Sequence, residues 1–185
     1  SNFEYKPGRS TPYVDPRHGA RSKVLAMKHQ CEISMIYRFI SLIYLAVFDK
    51  YFGALKVANF GISGDTTQGV LYRLLDGEGQ GFQPKAIMLM IGTNNAAAAS
   101  SAEIAEGVGA IVMEMRKDFP AAKILLLAIF PRGTGPTDAS RIKNEEANKI
   151  IAKLDDGKHV FFKNINSKFL DDQGRLIGFR ADNLH

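Results

Sequence analysis

Tryptophan is missing from the 185-residue chain, and cysteine occurs once, as Cys31. A lone thiol excludes an internal disulfide and a cysteine-based metal cluster, so Cys31 is expected to be a small core residue. Histidine is almost as scarce. His18, His29, His159 and His185 show no HExxH or other paired spacing, and no metal is expected. Blocks of like charge are absent too: the net charge is +5, but its lysines and arginines are spread along the chain. Without a nucleic-acid motif beside them, no nucleic-acid partner is expected. The most apolar stretch, 33–48, falls short of the roughly 20 residues a membrane helix needs and is interrupted by Arg38. No membrane span is expected. No secretory leader is visible, but the chain opens on Ser1, so the compartment stays open.

What is present is ordinary globular composition, 45% hydrophobic and 23% charged, at a length that suits one domain with a substantial core. Pro7, Pro12 and Pro16, with Gly8 among polar residues, mark 1–16 as an extended arm. Residues 17–185 carry neither an internal repeat nor a linker, and a single domain is expected there.

Apolar runs with β-rich composition predict strands at 33–40, 56–60, 86–91, 123–130 and 159–165. Between and before them, helices are expected at 17–30, 42–52, 67–75, 100–117 and 140–154. Ser100-x-x-Glu103 has the form of a capping box opening one of these. Alternation of strand and helix indicates an α/β domain built on a mainly parallel, five-stranded sheet. Right-handed crossovers then bring the breaks GISGDTT (61–67), GTNN (92–95) and PRG (131–133) to one edge. In open α/β sheets that carboxyl edge is where ligands bind.

The run KAIMLMIGTNN (85–95) shows the pattern best, since a strand expected to be buried on both faces delivers Thr93, Asn94 and Asn95 to that edge. A backbone amide at the Gly64 turn and the side-chain amide of Asn94 are candidate donors for a developing oxyanion. Each has a plainer reading as well: Gly64 permits a positive φ, Asp65 or Thr66 caps the next helix, and GTNN turns the chain. Asp182 and His185, three apart, have the spacing by which a carboxylate orients an imidazole as a general base.

NFGISGDTTQGVLYRL (59–74), IGTNN (91–95), IFPRG (129–133) and the DxxH ending, in this order, resemble the SGNH (GDSL-type) hydrolase family. Their closest likeness is to its branch of platelet-activating-factor acetylhydrolase catalytic subunits, and the blocks cover about residues 50–185. The resemblance implies a three-layer α/β/α sandwich, flavodoxin-like in architecture. It also implies cofactor-free hydrolysis of a small-molecule ester through a serine nucleophile. Gly64 and Asn94 match the family's oxyanion donors, and Asp182 and His185 match its acid and base. Arg132 falls in the PRG block and receives no catalytic role.

Two family features are missing. The GDS block that carries the nucleophile is absent. Aligning the first strand from its start places Ser41 where the serine belongs, with Phe39 and Ile40 in place of glycine and aspartate. Counting back from Gly64 lands near Tyr37 instead, with Ser34 and Ser41 on either side. The family's helix after the histidine is also absent, as nothing follows His185 in the sequence.

The leading expectation is a serine esterase for short acyl or acetyl esters of a lipid or carbohydrate, using Ser41, Asp182 and His185. The alternative is a non-catalytic binding domain of the same fold. A flavodoxin-like binding module ranks below both, because neither glycine-rich break fits a P-loop or a GxGxxG fingerprint. Oligomeric state and acyl preference are not legible.

Overall fold

The computed structural model describes residues 34–38, 50, 52 and 57–177, the first five as backbone only. All five expected strands are present: β1 (Ser34–Arg38), β2 (Val57–Asn59), β3 (Ala86–Met90), β4 (Lys123–Leu127) and β5 (Val160–Lys163). They form one parallel sheet in the order β2-β1-β3-β4-β5. The chain leaves β1 toward one edge to make β2 and returns past it to make β3. Such a reversal, at the carboxyl ends of β1 and β3, is where open α/β sheets place their ligands.

Three helices follow the last crossovers: α1 (Thr67–Leu75), α2 (Ser101–Asp118) and α3 (Ala139–Ile151). Each starts where a side chain takes up orphan backbone donors. Thr66 accepts from the Gly69 N–H at 3.3 Å, and Asp138 accepts from those of Ser140 and Arg141. At α2 the expected capping box is complete, with Ser100 and Glu103 bonded reciprocally. The helix expected at 140–154 ends earlier than its periodicity suggests, tightening into a 3₁₀ turn at Ala152–Leu154. Lys50 and Phe52 are helical, as expected for the end of 42–52. The arm at 1–16, the helix expected at 17–30 and the rest of 42–52 lie outside the described residues.

α1 packs on α2, and α2 packs on α3, so all three cover the same face of the sheet. Ile87, Leu89, Ile124, Leu126 and Val160 point into that layer and meet Ile104, Val108, Ile111 and Met115 of α2, all of them buried. Burial of each such side chain contributes about 1.5–3 kcal/mol. The other face corrects the expectation of strands buried on both sides. Met88, Leu125 and Phe161 are in register across it, Met88 and Phe161 are only part-buried, and Leu125 is 38% exposed. Among the described residues, α1, α2 and α3 all lie on the opposite face.

β4 also stops three residues before the expected 130. Ile129 leaves the ladder because the Asn148 side chain takes both its backbone groups, accepting from N–H at 2.8 Å and donating to C=O at 2.9 Å. Among the described residues no helix is long and apolar enough to cross a membrane.

Candidate active site

Three loops meet at the carboxyl edge. In the loop after β2, Gly64 has φ +79°, a conformation that side-chain-bearing residues rarely adopt. It is exposed, and a Cβ built there meets nothing within 4 Å. Its N–H has no acceptor among the described residues, which leaves it as an available donor.

Asp65, next in the chain, is 4% exposed and fixes this turn from below. One carboxylate oxygen accepts from the Thr66 N–H at 3.0 Å, and the other takes NH1 of Arg73 at 2.6 Å. Arg73 also donates from Nε to Glu78 at 2.9 Å. The result is a buried acid–base–acid triad whose side chains are all within 4% exposure. Burial, the largest single influence on the Arg73 guanidinium, acts to lower its pKa. The charges and hydrogen bonds of Glu78 and Asp65 together outweigh that and hold it above its ordinary value. Gly69 leaves room for the arrangement, since a Cβ there would run into the Asp65 carboxylate.

The loop after β3 begins at Gly92, φ +122°, where a Cβ would press on Ile129 at 2.8 Å and Ile104 at 3.0 Å. The chain therefore turns sharply inside the core, and Thr93–Asn95 forms one 3₁₀ turn. Its two asparagines divide the work. Asn95 is buried, accepts from the Thr67 N–H at 3.1 Å, and donates to Thr67 Oγ1 and Gln68 Oε1. Its own backbone N–H donates to the Gly92 carbonyl at 3.0 Å. Asn94 is half-buried and donates one amide hydrogen to the Asp65 carbonyl at 2.7 Å. A primary amide has two hydrogens, and the second meets no acceptor among the described residues.

Arg132, in the loop after β4, donates from NH1 to the Thr93 carbonyl at 2.9 Å. Its own carbonyl accepts from Nε of Arg141, which is 1% exposed and donates from NH1 to the Gly174 carbonyl.

Gly64 and Asn94 are thus brought together, joined through the single residue Asp65. Ser41, Asp182 and His185 lie outside the described residues. The strand positions place one of the two serines weighed from the sequence. Ser34 opens β1 beside Val57, four residues from its carboxyl end, or about 13 Å along a strand. It lies at the edge away from Gly64 and Asn94. β1 ends at Arg38 beside Met90, between the strands that deliver these two residues.

Thr66, and not Asp65, is the residue that caps α1. Arg73, Glu78 and Arg141 were not singled out from the sequence, and Asp65 only as a candidate cap. A signal was there: Val70, Arg73 and Leu74 fall on one helical stripe, as do Arg141, Asn144, Asn148 and Ile151. Charged or amide residues in a core stripe need partners. No group of three or more His, Cys, Asp or Glu side chains able to hold a metal ion occurs among the described residues.

A parallel sheet in this order, with donor loops at its carboxyl edge, is the scaffold of the SGNH class of hydrolases, an α/β sandwich. The chain belongs to the GDSL-like lipase/acylhydrolase family, whose model matches residues 44–185. Among its relatives is the platelet-activating factor acetylhydrolase IB subunit alpha2 of Bos taurus, 37% identical over 131 residues. That match covers 71% of this chain and 54% of the relative. The alpha1 subunit of Rattus norvegicus is 31% identical over 154 residues, covering 83% of this chain and 60% of the relative. The chain therefore spans a little over half the length of the curated relatives it matches. A Streptococcus pneumonia structure, provisionally described as a platelet activating factor, superposes with a TM-score of 0.75 at 26% identity. The superposition covers 92% of this chain and 84% of that one.

Proposed function

We propose that this chain is a serine esterase acting on short acyl esters, acetyl esters first among them. The observation that carries this is the pairing of two donors that no acceptor among the described residues takes up. Gly64 offers a backbone N–H, and Asn94 offers an amide hydrogen whose partner hydrogen is committed to the residue next to Gly64. Donors fixed before the reaction stabilise charge without reorganising, which is how an oxyanion site lowers the barrier. Acetyl preference is supported by the acetylhydrolase relatives.

In the proposed reaction the Ser41 hydroxyl attacks the ester carbonyl while His185 takes its proton and Asp182 holds the imidazole. The carbonyl oxygen becomes an oxyanion and takes hydrogen bonds from Gly64 and Asn94. Collapse expels the alcohol with the proton from His185, and water then hydrolyses the acyl-enzyme by the same route. No cofactor enters this chemistry.

Turnover of p-nitrophenyl acetate and labelling by a fluorophosphonate test the proposal directly. The wild-type protein is expected to turn over and to label, and Ser41→Ala to abolish both. Asn94→Ala is expected to reduce kcat by about 10²–10³ with a small change in KM. Labelling that survives Ser41→Ala would assign the nucleophile elsewhere.

One observation favours a second reading, a binding domain of the same fold. Phe39 and Ile40 stand where the family has glycine and aspartate before its serine. Its signature is an ester that binds in calorimetry with neither turnover nor labelling.

A further inference from the structure

The 3₁₀ turn that carries Asn94 is held from both sides. Asp65 takes the side-chain amide on the β2 side. On the β4 side, Arg132 places NH1 at 2.9 Å from the carbonyl of Thr93, half of the peptide unit whose nitrogen belongs to Asn94. Arg132 does not hang free, because its own carbonyl is pinned at 3.0 Å by Nε of the buried Arg141. Arg141 has no carboxylate partner among the described residues, and its two protein contacts are the carbonyls of Arg132 and Gly174. Burying a guanidinium against carbonyls alone is costly, so a gain elsewhere has to offset it. What these contacts achieve is a rigid path from α3 through the PRG loop to the Asn94 turn.

We propose that Arg132 is a positioning residue of the acyl-transfer site, acting through the Thr93 carbonyl to hold Asn94 on the oxyanion. The inference rests on the esterase reading for its kinetic arm only. On the β4 side the only other tie to Thr93 among the described residues is the 3.5 Å contact from Asn144 Nδ2 to its Oγ1, so loss of the Arg132 contact loosens the Thr93–Asn94 peptide and lets the Asn94 amide shift about its bond to Asp65. Misplacing a donor weakens the transition state more than substrate binding.

The test is a double-mutant cycle of Arg132→Met and Asn94→Ala, read by kcat and KM for p-nitrophenyl acetate. Arg132→Met is expected to lower kcat about tenfold with KM nearly unchanged, and to add nothing once Asn94 is alanine. Arg132→Lys, which keeps a charged donor without the planar fork, is expected to recover part of the loss. Equal losses in both backgrounds, or a raised KM at constant kcat, would overturn the proposal, the latter by making Arg132 a substrate contact.

The ¹H–¹⁵N signals of the Asn94 side-chain amide give a readout that needs no turnover. They are expected to shift and broaden in Arg132→Met while thermal stability changes little. Unmoved signals would sink the positioning role, whereas absent wild-type turnover with shifted signals would sink only the esterase reading.

Discussion

Arg73 shows how much of this site rests on one buried side chain. Its single positive charge is shared by two buried carboxylates, and one of them, Asp65, carries the carbonyl that holds Asn94. Removing one partner from a buried ion pair leaves uncompensated charge, at a cost of about 3–5 kcal/mol. Arg73→Met is therefore expected to lower the urea midpoint sharply, and a variant within 1 kcal/mol of wild type would show that the triad is not charged as drawn. Sequence alone brings Gly64 and Asn94 to notice, because glycine and asparagine after apolar strands are conspicuous, and their role as oxyanion donors is the proposal. It leaves the triad hidden, since Asp65 reads as a candidate cap and nothing in the sequence ties Arg73 or Glu78 to it. Only the fold shows that a turn and a helix stripe aim all three at one point.

Elements were legible where their signals are local. Thr67–Leu75 and the Ser100 box follow from spacing and capping, and the five strands follow from their apolar runs. Strand ends were less so, because Ile129 leaves the sheet for a side chain on α3, nineteen residues away. The start of β5 is organised by Asp156, whose Oδ1 accepts from the N–H groups of Lys158, His159 and Val160. Hydrogen bonds from Val160, His159 and Lys158 hold its carboxylate at a pKa of about 2, below the ordinary 3.8. A depressed carboxylate contributes stability above its unfolded pKa and loses it as pH falls through the folded one. Asp156→Asn is expected to melt below wild type at pH 7. The gap should narrow between about pH 4 and pH 2 and close below that. Melting curves with a gap independent of pH would rule out this account.

At the scale of the whole molecule, the α/β class was legible from alternation and the sandwich from the family resemblance, but the strand order was not. Which face a crossover helix covers depends on strand order, and strand order leaves no mark on any one segment. The two faces therefore predict opposite sensitivities for neighbouring leucines of β4. Leu126, 1% exposed, packs under α2, and Leu126→Ala is expected to cost about 2–5 kcal/mol. Leu125, on the other face, is expected to tolerate threonine within about 0.5 kcal/mol. Chemical denaturation of the two variants checks this, and equal losses would place a packed layer over both faces.

The hydrogen bond from the Asn95 backbone N–H to Gly92 has a bearing on how the protein ages. Spontaneous deamidation of an asparagine begins when the backbone nitrogen of the next residue attacks the side-chain carbon and closes a succinimide ring. For Asn94 that nitrogen belongs to Asn95, and the 3₁₀ turn holds it toward Gly92. The same turn that presents the amide thus shields it from slow conversion to aspartate, whose negative charge would repel an oxyanion.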